Sequence, residues 1–289
     1  MPRHARYAVG GAVVGVALLF ITWFAAFHIG VVQRADQAIF RGFIALDQRP
    51  RVDGIASFIA NLCDPNPYVW FATIPVLVAL ARRRLAVALA IAGILLGANA
   101  TTQLLKPVLA QPRADWLLGG TAYVSPASWP SGHATAAMSL ALCFVLAAPS
   151  RLRPLMAALG AGFAAAVSYS FLTLGWHYPS DVFGGFLVAG TWTALAVAAL
   201  SVLDARRRQP RVRAETRRVP VPMALGPPVA VLLGALALAA LVALAGPHAI
   251  VMDTRAHEAL LVGAAAIGAL GVALASGVVL ALRRWLGYR

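Results

Sequence analysis

Apolar residues in this chain come in long unbroken runs. Neither the alternation of a half-buried strand nor the single stripe of a soluble helix is present. Runs at 7–32, 67–81, 85–105, 133–149, 154–175, 182–203, 228–246 and 259–282 predict eight membrane-spanning helices. The second run is short, holds Pro75 and leaves room for an earlier start. Residues 36–62 follow a different pattern. Ile39, Phe40, Phe43, Ile44 and Leu46 are interleaved with Arg41, Asp47, Arg49 and Arg51. That pattern predicts an amphipathic helix lying on the membrane surface. The first run follows a short basic segment, as in a signal peptide, but it is longer than a usual signal and no cleavage site follows; it reads as an uncleaved first span.

The expected fold class is therefore all-α, a polytopic membrane helical bundle. Its divisions are a six-span core at 1–203, a basic linker at 204–227 and an accessory two-span hairpin with a basic tail at 228–289. The linker is rich in Arg and Pro. The hairpin is built almost wholly of Ala, Leu, Val and Gly, a composition suited to packing or oligomer contacts. No internal repeat is visible.

Composition changes the picture in two ways. Mean hydropathy is +0.78 and only 12% of residues are charged, yet the net charge is +14. A nucleic-acid binder would spread that charge over a soluble face. Here the arginines sit between apolar runs, so nucleic acid is not the expected partner. One set of loops carries 17 basic residues against two acids, Asp204 and Glu215; the other carries seven against eight. The positive-inside rule then predicts an integral, multi-pass protein of the plasma (inner) membrane, with both termini cytoplasmic. The two cysteines, Cys63 in a loop and Cys143 inside a run, suggest neither a disulfide nor a thiolate metal site.

With that orientation, three polar clusters meet at the outer ends of spans. Lys106 closes the third span, and Arg113 follows it. Trp129-Pro130-Ser131-Gly132-His133 opens the fourth. His177 and Asp181 lie at the junction of the fifth and sixth. Ionisable groups at a membrane span are costly, which marks them as functional candidates. Lys106 is the only lysine in a chain whose other 23 basic residues are arginine, so a compact ammonium is one reading and an ordinary snorkelling residue the other. A helix start at Gly132 offers unpaired N–H groups to an anion, with Ser131 to cap or donate. His177 and Asp181, four apart, share a helical face, so the carboxylate can fix the ring tautomer. Two histidines, a carboxylate and several cations suit phosphoryl transfer without a metal or other cofactor. The competing reading, a metal on His133, His177 and Asp181, would crowd the ion against Lys106 and Arg113.

These residues resemble the motifs of the type 2 phosphatidic acid phosphatase superfamily. Its first motif, K-x6-R-P, is matched by Lys106 and Arg113, with Ala114 in place of the proline. The second, P-S-G-H, is matched throughout at residues 130–133. The third, S-R-x5-H-x3-D, is matched at Ser170, His177 and Asp181, with Phe171 in place of the arginine. The resemblance spans roughly residues 7–203. It implies that His177 is a nucleophile forming a phosphohistidine, Asp181 its orienter and His133 the general acid. Lys106, Arg113, Ser131 and Gly132 would form the phosphate cradle. The substrate implied is a lipid-linked phosphate or pyrophosphate, hydrolysed without metal at the outer face.

Phe171 removes one guanidinium, worth about 1.5–3 kcal/mol as a charge-assisted hydrogen bond. Three consequences are open. Another arginine, Arg255 being the candidate, replaces it. The substrate carries fewer charges, as for a phosphotransferase. Or the protein is a non-catalytic anion-binding or transport protein. Trp70, Trp116, Trp129, Trp176, Tyr123 and Tyr178 are expected at the rim, holding a lipid chain or forming an interfacial belt.

Overall fold

The structure is a computed structural model that describes residues 1–46, 50–112, 124–206, 228, 229, 232, 235 and 254–283. Among these residues there are nine helices: α1 (Arg3–His28), α2 (Gly30–Ile44), α3 (Pro50–Asn61), α4 (Pro65–Ala81), α5 (Leu85–Val108), α6 (Gly132–Ala147), α7 (Arg153–Thr173), α8 (Pro179–Arg206) and α9 (Thr254–Arg283). Five of them, α1, α5, α7, α8 and the 258–282 part of α9, are long and apolar enough to cross a membrane; α4 and α6 are shorter apolar helices. The chain is an all-α, multi-pass membrane protein. The expected span at 228–246 falls almost entirely outside the described residues.

Helix ends follow local chemistry. Pro65 and Pro154 stand in the first turns of α4 and α7, where a missing N–H costs nothing. The helix of the second apolar run begins early, at Pro65, and keeps Pro75 inside it. Gly175 takes a positive φ of 74° just past α7. This lets Trp176 N–H donate to the Phe171 carbonyl and Gly175 N–H to the Leu172 carbonyl, a Schellman end that turns the chain sharply.

The core sits around α6. Its residues are small, with Ala134, Ala136, Ala137, Ser139 and Ala141 all buried. Helices α5, α7 and α8 pack on its sides. Without a solvent-driven hydrophobic effect inside a bilayer, such close approach of small residues is what holds helices together. Gly160 of α7 is one such contact: a Cβ there would lie 2.8 Å from that of Ala141. Outward-facing Ile21, Leu77, Leu89 and Leu96 are exposed, as a lipid-facing surface requires.

The 36–62 segment departs from a single surface helix. It divides into α2, which starts earlier at Gly30, and α3. Helix α2 buries Asp36, Gln37, Phe40 and Phe43 against the bundle, packing on α9 and α7. Asp36 is 6% exposed. Its carboxylate accepts from the backbone N–H of Ser180 at 2.9 Å and from Ser180 Oγ at 2.6 Å. A residue 144 positions upstream thus caps the first turn of α8. Asp36→Ala is expected to lower stability by about 1–3 kcal/mol, because a buried donor pair loses its acceptor; thermal unfolding in detergent measures this.

Candidate active site

Five helix ends converge at one end of the bundle: the starts of α4, α6 and α8 and the ends of α5 and α7. Each brings a polar side chain. Ser131 caps α6, its Oγ accepting from Ala134 N–H at 3.3 Å. Ser131 N–H donates to the Asp181 carbonyl at 2.9 Å, which stitches the start of α6 to the start of α8. Trp129 Nε1 donates to the Ser180 carbonyl at 3.2 Å and secures the same junction from the other side. The helices approach closely there because α8 carries Gly184 and Gly185. A Cβ on Gly185 would lie 2.7 Å from the Ser131 carbonyl oxygen, and one on Gly184 would lie 2.8 Å from the Trp129 ring.

The junction fixes His177 and Asp181. Asp181 is fully buried, and its Oδ2 accepts from Tyr178 N–H at 3.0 Å. The same oxygen lies 3.3 Å from His177 Nδ1. With a proton on Nδ1 donated to Asp181, Nε2 keeps its lone pair for attack. The His133 ring stands 6.4 Å from that of His177, centroid to centroid. Lys106 completes the group: its Nζ lies 3.7 Å from the point where a Gly132 Cβ would be. An ammonium beside the positive end of a helix is an unfavourable pairing unless an anion comes between them. Asp181 is one nearby negative charge for Lys106, and the geometry at the mouth of α6 is one that a further anion would suit.

Phe171 is completely buried and forms an apolar wall behind both histidines. Its ring meets His177 edge-on at 5.2 Å and His133 at 6.0 Å. The position that carries a guanidinium in the motif carries packing here. Arg113 lies outside the described residues, as does the side chain of Arg255. Of the expected rim aromatics, Trp129 and Tyr178 do not face lipid. They are 0% and 1% exposed, Trp129 locking the α6–α8 junction and Tyr178 packing on Phe40 at 4.5 Å. Trp70 and Trp176 are exposed; Trp116 and Tyr123 lie outside the described residues.

One neighbour escaped the sequence reading. Asp64, at the start of α4, places Oδ1 2.9 Å from His133 Nε2. The sequence offered only a weak signal, an acid directly before a proline-rich helix start, which ordinarily reads as a cap. Next to it, burial pushes the Cys63 thiol up to about 12, which keeps it protonated and unreactive. Among the described residues, no group of three or more His, Cys, Asp or Glu is arranged to hold a metal ion.

The sequence model of the PAP2 superfamily matches residues 83–205. Among solved structures, the fold is similar to the crystal structure of a transmembrane PAP2-type phosphatidylglycerolphosphate phosphatase from Bacillus subtilis. That protein is 23% identical, with a TM-score of 0.51, and the match covers 70% of this chain and 99% of that one. No curated protein matches the chain significantly.

Proposed function

From residues 83–205 as a PAP2 superfamily match within a PAP2-type fold, we propose that this protein is a membrane phosphatase that hydrolyses lipid-linked phosphate or pyrophosphate through a phosphohistidine. The observation that carries the reading is the convergence at the mouth of α6 of two histidines, one backed by a buried carboxylate, with a lysine beside the helix start.

In the first step the substrate phosphate rests against the N–H groups at the start of α6, with Lys106 and Arg113 as counter-charges. His177 Nε2 attacks phosphorus. The N–P bond forms as the P–O bond to the lipid breaks, and protonated His133 gives its proton to the leaving oxygen. Asp181 stabilises the cation that grows on His177. In the second step His133, now neutral, takes a proton from water. The hydroxide attacks phosphorus, the N–P bond breaks, and phosphate leaves with His177 restored. Every group in this cycle comes from the chain, so the reading asks for no metal.

The arginine-rich ends opposite the site support a cytoplasmic side there, and therefore a site facing outward from the plasma membrane. Residues 1–203 would form the catalytic core, with the 228–289 segment accessory to it. A lipid headgroup entering from the outer leaflet would meet the cradle without its chains leaving the bilayer.

The deciding experiment is phosphate release by the purified protein from phosphatidate, a polyprenyl pyrophosphate and a phosphorylated glycerolipid. Release from at least one is expected, and orthovanadate should inhibit it competitively, because its five-coordinate form mimics the transferring phosphoryl group. Release that millimolar vanadate leaves untouched would exclude the histidine mechanism. The buried Phe171 favours a second reading, an anion-binding or transport protein on the same cradle. Vanadate or phosphate binding without release from any member of the panel would select it. Transfer to an added alcohol in place of water would instead identify a phosphotransferase.

A further inference from the structure

We infer that Asp64 is the positioning residue of His133, holding its imidazole in place and supplying the counter-charge for its protonated form. The inference rests on the reading of His133 as general acid and goes beyond the motif residues, since Asp64 lies in none of them.

Sequence position first explains why Asp64 is free for this task. It is the N-cap of α4, where an aspartate ordinarily accepts from the N–H of the second or third helical residue. Here its side chain makes no capping bond. The helix opens Pro65-Asn66-Pro67, and proline has no N–H. Two of the three first-turn donors are therefore missing. The carboxylate instead reaches across to α6, 69 positions along the chain, and meets His133 Nε2 at 2.9 Å.

The backbone beneath it is held firmly. Asp64 N–H donates to the Asn61 carbonyl at 3.1 Å, and the Asp64 carbonyl accepts from Tyr68 N–H at 2.9 Å. Cys63, beside it, is buried. One turn into α4, the Tyr68 hydroxyl accepts from Asn99 Nδ2 of α5 at 2.9 Å and meets Ser139 Oγ of α6 at 3.4 Å. This ties the start of α4 to the two helices that carry Lys106 and His133. The carboxylate is 43% exposed and the imidazole 24%, so the pair sits at the mouth of the site, where protons can exchange with water.

Charge balance gives the pair its purpose. Among the described residues, His133 faces Asp64 from α4, Lys106 from α5, and His177 from the α7–α8 turn with Asp181 behind it. Lys106 and a protonated His177 both oppose a second cation on His133. Asp181 is engaged by His177. Asp64 is the carboxylate in direct contact with His133, and it offsets that opposition. With Nε2 held by Asp64, Nδ1 is the nitrogen left to exchange a proton with the substrate.

Asp64→Asn tests this, because it keeps the shape and an acceptor oxygen but removes the charge. On a lipid phosphate that the wild type hydrolyses, kcat is expected to fall about tenfold, with KM changed less than about twofold. The alkaline limb of the kcat profile should move to lower pH, since protonated His133 loses its counter-charge. Asp64→Glu should recover part of the rate. Without substrate, the His133 ring can be followed by NMR in histidine-labelled protein and assigned by its absence in His133→Ala; its titration should also move to lower pH in Asp64→Asn. Wild-type rate, profile and titration in Asp64→Asn would overturn the inference. So would a fall in kcat with both pH readouts unmoved, which is the result of mere loss of fold. If the wild type hydrolyses none of the panel but the His133 titration still moves, the phosphatase reading fails and the pairing of Asp64 with His133 stands.

Discussion

Replacing His177 with alanine is expected to lower phosphate release at least about a thousandfold and to eliminate any phosphorylated form of the protein. The size of the effect follows from the chemistry. In the proposed mechanism the imidazole is the attacking group, so its removal takes away the nucleophile. Its neighbours reinforce this. Oδ2 of fully buried Asp181 faces Nδ1 at 3.3 Å, and Phe171 closes the space beside the ring. The measurement is rapid acid-free quenching with phosphorus-labelled substrate, followed by peptide mapping. Label on wild-type His177 and none on the alanine variant is the expected result. Unchanged turnover in His177→Ala would exclude the covalent mechanism. His133→Ala separates the two steps: it should slow leaving-group departure most for lipids with a basic leaving oxygen.

The second large effect is expected at a residue with no chemistry of its own. Gly185→Val should reduce activity by at least about a hundredfold and stability by about 1–3 kcal/mol. A Cβ at this position would meet the Ser131 carbonyl oxygen at 2.7 Å, the Ala134 Cβ at 2.8 Å and the Thr135 backbone nitrogen at 2.9 Å. These are mainly backbone atoms of the first turn of α6 and cannot step aside as a flexible side chain would. Helix α8 must retreat, and the hydrogen bond from Ser131 N–H to the Asp181 carbonyl lengthens with it. His177 then moves away from His133. Initial rates together with thermal unfolding in detergent make the check. Wild-type rates in a stable valine variant would mean that the α6–α8 spacing does not set the site.

The fold was legible because a bilayer simplifies the physics. A segment that crosses lipid must satisfy its own backbone and present apolar side chains, so run length alone locates it. The runs at 85–105, 133–149, 154–175 and 182–203 accordingly coincide with α5, α6, α7 and α8. Residues 36–62 were less legible. An amphipathic pattern shows that one face is apolar but not what covers it. Asp36 sits on the buried face of α2, because Ser180 offers it two donors from another helix. Trp129 and Tyr178 were misleading for the same reason. A tryptophan or tyrosine near a span end has the composition of an interfacial belt, and only packing reveals that these two fill the core.

What the sequence determined by itself was the all-α, membrane-spanning character of the chain and a short set of candidate site residues. His133, His177, Asp181 and Lys106 stand out because charge at a membrane boundary is expensive and their order along the chain follows a known motif set. Tertiary structure alone decided how these residues face one another. It brought Asp64 to His133 across 69 positions, set the Phe171 ring against both histidines, and drew α8 onto the start of α6 through Gly184 and Gly185. The reason is physical: helix periodicity fixes which face a side chain occupies on its own helix. Contacts between helices depend on crossing and closeness, and these are set by small residues and buried hydrogen bonds spread over the whole chain.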